Sequence, residues 1–166
     1  MKKTLLASLG LTLMLSTSAS VALAEENPLQ VAKNPITTSE AEYHEQEPND
    51  SFEQANYYFI GDAVIGRLGT EGVPGVWENY DVFRIKAFES NNVQFTVQGD
   101  RYSDSWLELE LFDSNGKHVK QSRDSQYFLN VNLEKGKEYF LTISASGLQP
   151  EKGHIFDYRI YSEAVR

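Results

Sequence analysis

Past residue 57 the apolar positions fall in short runs, about ten residues apart, divided by turn residues. That spacing predicts strands rather than helices. Candidate strands are Ala63–Leu68, Tyr80–Lys86, Val93–Gln98, Trp106–Phe112, His118–Gln121, Tyr127–Leu133, Glu138–Ser144 and Asp157–Ser162. The clearest is WLELELF. Its Leu107, Leu109 and Leu111 alternate with Glu108 and Glu110, so period two sends the leucines to one face and the glutamates to the other. Asp113-Ser114-Asn115-Gly116 follows, and its Asn-Gly suits a tight turn between antiparallel strands. Glu134-Lys135-Gly136-Lys137 reads as a second turn of the same kind, leading into the alternating Tyr139, Leu141 and Ile143. About eight short strands without a long helical pattern predict an all-β, antiparallel β-sandwich of jelly-roll type, with a closed barrel as the alternative. The one helical signal is a short turn at Ser51–Asn56, where Phe52 and Ala55 would tuck under the sandwich.

The first residues have a different pattern. Lys2 and Lys3 precede an apolar run, Leu5–Leu15, and then small polar residues and Ala22-Leu23-Ala24. This is the layout of a secretory signal peptide over residues 1–24, with a run too short for a good membrane span. No second apolar stretch could span a bilayer, so the chain is expected to be secreted and extracellular. Residues 25–43 are polar, hold two prolines and show no sustained period; they read as a flexible lead, or a short pro-segment, before a domain at 44–166. Without Lys2 and Lys3 the balance is 13 basic against 24 acidic residues, a formal charge of −11. Such a surface disfavours nucleic acid and anionic membranes and tolerates cations or basic partners. There is no cysteine, so stability must come from a core, helped by a bound ion.

The densest chemistry is in HEQEPNDSFEQAN, residues 44–56. One reading is a helix cap: Asp50 as N-cap, Glu53 completing a capping box, Pro48 keeping Glu47 extended. It leaves Glu45, Glu47 and Asn49 without a task. The other reading is a calcium site. In an extended segment Glu45, Glu47 and Asn49 point to one side, with Asp50 at the turn. Calcium takes six to eight oxygens, so further ligands must come from elsewhere, and Asn79 and Asp81 in ENYDVFRI are the best donors. They share a strand face beside the irregular loop GTEGVPGVWEN. Zinc is disfavoured without cysteine, and the EF-hand pattern is absent.

These segments carry a resemblance. EPNDSFEQAN, an Ile-Gly-Arg-Leu strand, Asn79–Ile85, LELELFDSNG, and the closing GKEYFLTISA and FDYRIY occur in the order found in the bacterial pre-peptidase C-terminal domain family. The chain resembles that family over residues 45–163. The resemblance implies a β-sandwich accessory module that usually trails a secreted protease. The related collagen-binding domains of clostridial collagenases bind calcium through an E-x-E-x-N-(D/N) segment and downstream acids. By that resemblance Glu45, Glu47, Asn49, Asp50 and Asp81 are candidate ligands. Asn79 stands where the family more often has Asp, which costs the site one negative charge.

Catalysis finds little support. There is no G-x-S-x-G elbow and no thiol, and His44, His118 and His154 are far apart in sequence. Asp100, Asp104, Glu108 and Glu110 could form a carboxylate pair for glycoside hydrolysis, but a solvated strand face explains them as well. The neighbours Tyr57, Tyr58 and Phe59, then Tyr127 and Phe128, then Tyr139 and Phe140, should each place one ring outward. Trp77 and Trp106 are candidate contacts for a polymer. The expectation is a non-enzymatic, calcium-stabilised accessory or binding module for an extracellular protein or polymer, including a secreted protease supplied in trans. The alternative is a protease-directed inhibitor or chaperone using the Gly-rich loop 69–77. A small hydrolase using surface carboxylates ranks third.

Overall fold

The computed structural model describes residues 41–99, 106–123, 126–146, 152 and 154–165. The chain divides into two units, Met1–Ile36 and Thr37–Arg166, and every described residue belongs to the second. The expected signal peptide and nearly all of the expected lead lie outside the described residues.

All eight expected strands form. They are β3 (Ala63–Leu68), β6 (Tyr80–Lys86), β7 (Asn91–Gly99), β8 (Trp106–Asp113), β9 (His118–Gln121), β10 (Phe128–Leu133), β11 (Glu138–Ser146) and β12 (Phe156–Ala164). Four short strands join them: β1 (Glu42–His44), β2 (Asn56–Tyr58), β4 (Glu71–Val73) and β5 (Val76–Trp77). Ten strands build two five-stranded sheets, sheet A in the order β1-β3-β12-β7-β10 and sheet B in the order β2-β6-β11-β8-β9; β4 and β5 form a separate hairpin. The core lies between the sheets. Leu107, Leu109 and Leu111 face Val93, Phe95 and Val97 across it, all of them buried.

The sheets are not wholly antiparallel. β1 pairs with β3, and β2 with β6, in parallel. These two edge strands have three residues each, too few to show a period in the sequence. Between them the chain crosses from sheet A to sheet B, and that crossing is the segment 45–55. It holds a hydrogen-bonded turn rather than a helix: Gln54 N donates to Ser51 O at 3.1 Å, and Ser51 Oγ donates to Gln54 Oε1 at 3.1 Å. Phe52 does not go under the sandwich. It stacks on Phe140 at 4.4 Å on the outer face of sheet B and meets Phe112 at 5.6 Å. Phe140 is therefore covered, and Tyr139 and Phe140 are both buried. The other aromatic neighbours do split, with Tyr58 inside and Tyr57 and Phe59 exposed.

The first expected turn closes the β8–β9 hairpin. Asp113 Oδ1 accepts from Asn115 N (2.8 Å) and Lys117 N (3.0 Å), and Gly116 takes a φ of +75° that favours glycine. The second, at Glu134–Lys137, is a turn of another kind. It joins β10 to β11, which lie in different sheets. Gly136 N accordingly donates to Ala87 O (2.7 Å), outside the turn itself.

Candidate metal centre

Asp81 decides the geometry. It is the first inward position of β6, in line with Phe83 and Ile85, and its side chain is fully buried between the sheets. A carboxylate there must find partners or lose its charge. The crossing segment supplies neighbours. Asn49 is fully buried too, and its carbonyl accepts from Val82 N at 2.9 Å, which docks the segment onto β6. Glu45 Oε1 accepts from Arg67 N of β3 at 2.6 Å. Tyr158 of β12 donates to Glu45 Oε2 (2.6 Å) and also reaches Asp81 Oδ2. One phenolic proton thus serves two carboxyl groups, one fixed to sheet A and one growing from sheet B.

Five carboxyl groups gather here. One oxygen each of Glu45, Glu47 and Asp81 lies within 4.8 Å of the others, and so do oxygens of Glu47, Asp50 and Glu78. Glu47 belongs to both groups. Glu78 is buried, and its Oε2 accepts from Thr70 Oγ1 at 2.5 Å. Its Oε1 is also shut off from solvent and has no hydrogen-bond partner among the described residues. Pro48, Thr70, Glu71 and Val76 complete a groove of about 460 Å³ beside it.

Burial raises the Asp81 carboxyl far above the usual range, reinforced by Glu78 and Glu45. Glu47 is pushed up to about 8, first by burial and then by Glu78, Glu45 and Asp50. Asp50 is raised by burial and Glu78, and the Tyr158 phenol by burial, Asp81 and Glu45. The neighbours that raise Asp81, Glu47 and Asp50 are all acids.

The Asn49 amide joins the acids. With Nδ2 turned to the acids it donates to Asp81 Oδ1 (3.1 Å) and Glu47 Oε2 (3.0 Å). In the opposite orientation Nδ2 lies 3.5 Å from Glu45 Oε2, and the amide oxygen faces acceptors alone. The first orientation satisfies the amide and ties Asn49 to Asp81 and Glu47 directly. The donor set is all oxygen, mostly carboxylate, with one buried orphan acceptor. It fits a hard divalent ion and offers no nitrogen or sulfur for a softer one.

Five of the six expected ligands, Glu45, Glu47, Asn49, Asp50 and Asp81, are brought together. Asn79 is not; it is exposed and precedes β6, so strand alternation does not reach back to align it with Asp81. Glu78 takes the inner place instead. The base of the β4–β5 hairpin turns it inward, where Glu78 N donates to Thr70 O at 3.0 Å. With no helix at 51–56, Asp50 has no helix to cap. Of the other candidates, Asp100 and Asp104 lie outside the described residues, and Glu110 lies 3.7 Å from His118 on the outer face of sheet B.

No family model matches the chain, and no curated protein matches it in sequence. Among solved structures it is similar to the pre-peptidase C-terminal domain of a collagenase from Bacillus anthracis. That match has 14% identity and a TM-score of 0.49, and it covers 72% of this chain and all of the other. It is also similar to PliG of Aeromonas hydrophila, a periplasmic inhibitor of g-type lysozyme, with 9% identity, a TM-score of 0.35, and 74% and 96% of the two chains covered. For PliG of Salmonella Typhimurium the identity is 11%, the TM-score 0.33, and the coverage 66% and 98%. At these levels the roles of those proteins do not transfer.

Proposed function

We propose that this chain is a secreted, non-catalytic binding module whose sandwich is clipped by calcium. The observation that carries this is two overlapping carboxyl clusters, one of Glu45, Glu47 and Asp81 and one of Glu47, Asp50 and Glu78, that share the exposed Glu47 and reach in to the buried Asp81 and Glu78, with Glu78 Oε1 left without a donor. Glu45, Glu47, Asn49, Asp50, Glu78 and Asp81 would hold the ion. Bound there, it would supply positive charge to groups that otherwise repel one another. It would also tie the crossing segment to β6 and, through Glu45 and Tyr158, to sheet A. A site that exists only in the folded state raises stability by mass action, and extracellular calcium suffices for a weak module site. The strand orders β3-β12-β7-β10 and β6-β11-β8-β9 support a jelly-roll reading, with β1, β2 and the β4–β5 hairpin as additions.

The test is a thermal melt in EGTA and in millimolar calcium. The wild-type midpoint should rise by several degrees with calcium, and Glu47→Ala and Asp81→Ala should abolish the rise. An unchanged wild-type midpoint would sink the clip. The inhibitor reading has one observation in its favour. Segment 69–77 is a formed hairpin, with Glu71 Oε1 accepting from Gly75 N (2.6 Å) and Val76 exposed. Loss of activity across a panel of secreted proteases would move that reading to first place.

A further inference from the structure

The outer face of sheet A divides into two halves of different character. On β3 and β12 the outward positions include the paired Arg67, Asp157 and Arg159, beside uncharged Ile65 and Tyr161 and the exposed Glu163. Arg67 Nε meets Asp157 Oδ1 at 2.5 Å, and Arg159 Nε meets Glu42 Oε2 at 2.8 Å. On β7 and β10 there is no Asp, Glu, Lys or Arg at any position, in a chain that is 23% charged. Burial alternates along both strands. Asn92, Gln94, Thr96 and Gln98 therefore face outward from β7, and Phe128, Asn130 and Asn132 from β10. β10 is also an edge strand, where charge is the usual protection against unwanted pairing.

Register arranges these side chains in rows. Thr96 lies opposite Tyr161 on one side and Phe128 on the other; Gln94 lies opposite Asn130, and Asn92 opposite Asn132. Two rings thus flank a hydroxyl, two strand spacings or about 10 Å apart. The amides are lightly used. Gln94 Nε2 lies 3.4 Å from Thr96 Oγ1, and Gln98 Nε2 lies 3.4 Å from the Tyr161 hydroxyl. Both contacts are at the long limit of a hydrogen bond. Asn130 Oδ1 is shielded from solvent and accepts no hydrogen bond among the described residues. A hollow of about 390 Å³ near Thr96 and Gln98 is lined also by Val97, Leu107 and Tyr127, so it opens toward the core between the sheets and lies outside the strip.

We infer that the β7–β10 face binds a neutral polysaccharide. Each amide offers donors and acceptors side by side, which is what neighbouring sugar hydroxyls require. Phe128 presents aromatic surface to the C–H face of a sugar ring, and the Tyr161 ring, which the Arg159 guanidinium overlies at 5.2 Å from its centroid, borders the strip on the other side. Their separation is close to the repeat of two units in an extended β-linked chain. The absence of charge on β7 and β10 matches an uncharged polymer, with charge returning at the β12 border, where Arg159 lies opposite Gln98 and Glu163 opposite Gln94. A protein partner would call for a more apolar centre than two rings among amides. The strip is distinct from the metal centre, and the inference rests on the binding-module reading but not on calcium.

The test uses the secreted chain with microcrystalline cellulose, chitin, an insoluble β-glucan and soluble galactomannan as probes, and alginate and albumin as controls. Saturable retention on at least one neutral polymer is expected. It should hold from about 0.1 to about 0.5 M NaCl, since a neutral polymer brings no charge for salt to screen. Phe128→Ala and Tyr161→Ala should each weaken it about fivefold, the scale of one lost aromatic contact. Asn130→Asp, nearly equal in volume but charged, should weaken it about tenfold while leaving the melting point within a few degrees. Retention on none of the neutral polymers overturns the inference, as does retention unchanged by Phe128→Ala and Asn130→Asp. A dimer that Phe128→Ala dissolves, with no retention, gives the strip to a second copy and overturns it as well. Glu47→Ala separates the two readings: it should lose the calcium shift and keep retention. A calcium shift without retention removes the strip alone; retention without a calcium shift removes the clip alone.

Discussion

A Cβ built on Gly66 would come within 2.3 Å of Glu45 Oε2 and within 2.2 Å of the Tyr158 ring and hydroxyl. Only a hydrogen fits between the two groups that tie the crossing segment to sheet A. Gly66→Ala should therefore cost about 1–3 kcal/mol in urea unfolding, with a weaker calcium shift, because the phenol and carboxylate must move apart. Tyr158→Phe keeps the packing and removes the donor. It should cost about 1–3 kcal/mol in EGTA, the range for leaving a buried acceptor unmatched, and less in calcium. Both residues lie in segments that carry the family resemblance, yet nothing in the sequence marks either for a role at the site. Tyr158 occupies an inward position of β12, where a tyrosine looks like ordinary core, and its role appears only when Asp81 comes in from the opposite sheet. Glu78 was hidden by the same alternation that revealed Asp81: period two pointed to Asn79, and the hairpin before β6 reset the count.

Among the elements, legibility follows length. The eight strands with four or more residues each carry enough alternation to be read directly, and β3, β6 and β9 have the expected bounds. The three-residue edges β1 and β2 do not, and their parallel pairing follows from a crossing that no local pattern encodes. The crossing is held from outside as well as inside. Phe52 stacks on Phe140, and Arg84 Nη2 donates to Phe52 O at 3.0 Å. Phe52→Ala should cost about 2 kcal/mol, below the range for a fully buried ring because Phe52 is half-buried. Calcium affinity should fall with it, measured by titration of the melting point, since the segment that presents Glu47, Asn49 and Asp50 would lose its outer anchor.

At the level of the whole molecule, the acids at one end of the sandwich set a pH dependence whose sign is unusual for carboxylates. Folding raises the carboxyl of Glu47 from 4.5 to about 8 and that of Asp81 higher still. The folded chain therefore holds more protons than the unfolded one near neutrality, and stability must fall as pH rises. In EGTA the contribution is complete below the unfolded value of 4.5 and is lost as pH climbs through about 8 for Glu47. The melting point in EGTA should decline between about pH 5 and about pH 9. Calcium should remove that decline, because the ion competes with the protons for the same oxygens. A melting point in EGTA that rises with pH would contradict the burial of these groups.

From Ala41, the first described residue, the chain runs along β3, with Ala63 N donating to Ala41 O and Glu45 N to Ile65 O. Then it passes through the ligand segment. A tension applied upstream of Ala41 would load the short β1–β3 pairing first and the Glu45–Asp50 crossing directly behind it. The same contacts that hold the two sheets together would then act as a mechanical fuse. Calcium bound among those acids would raise the force at which that fuse yields.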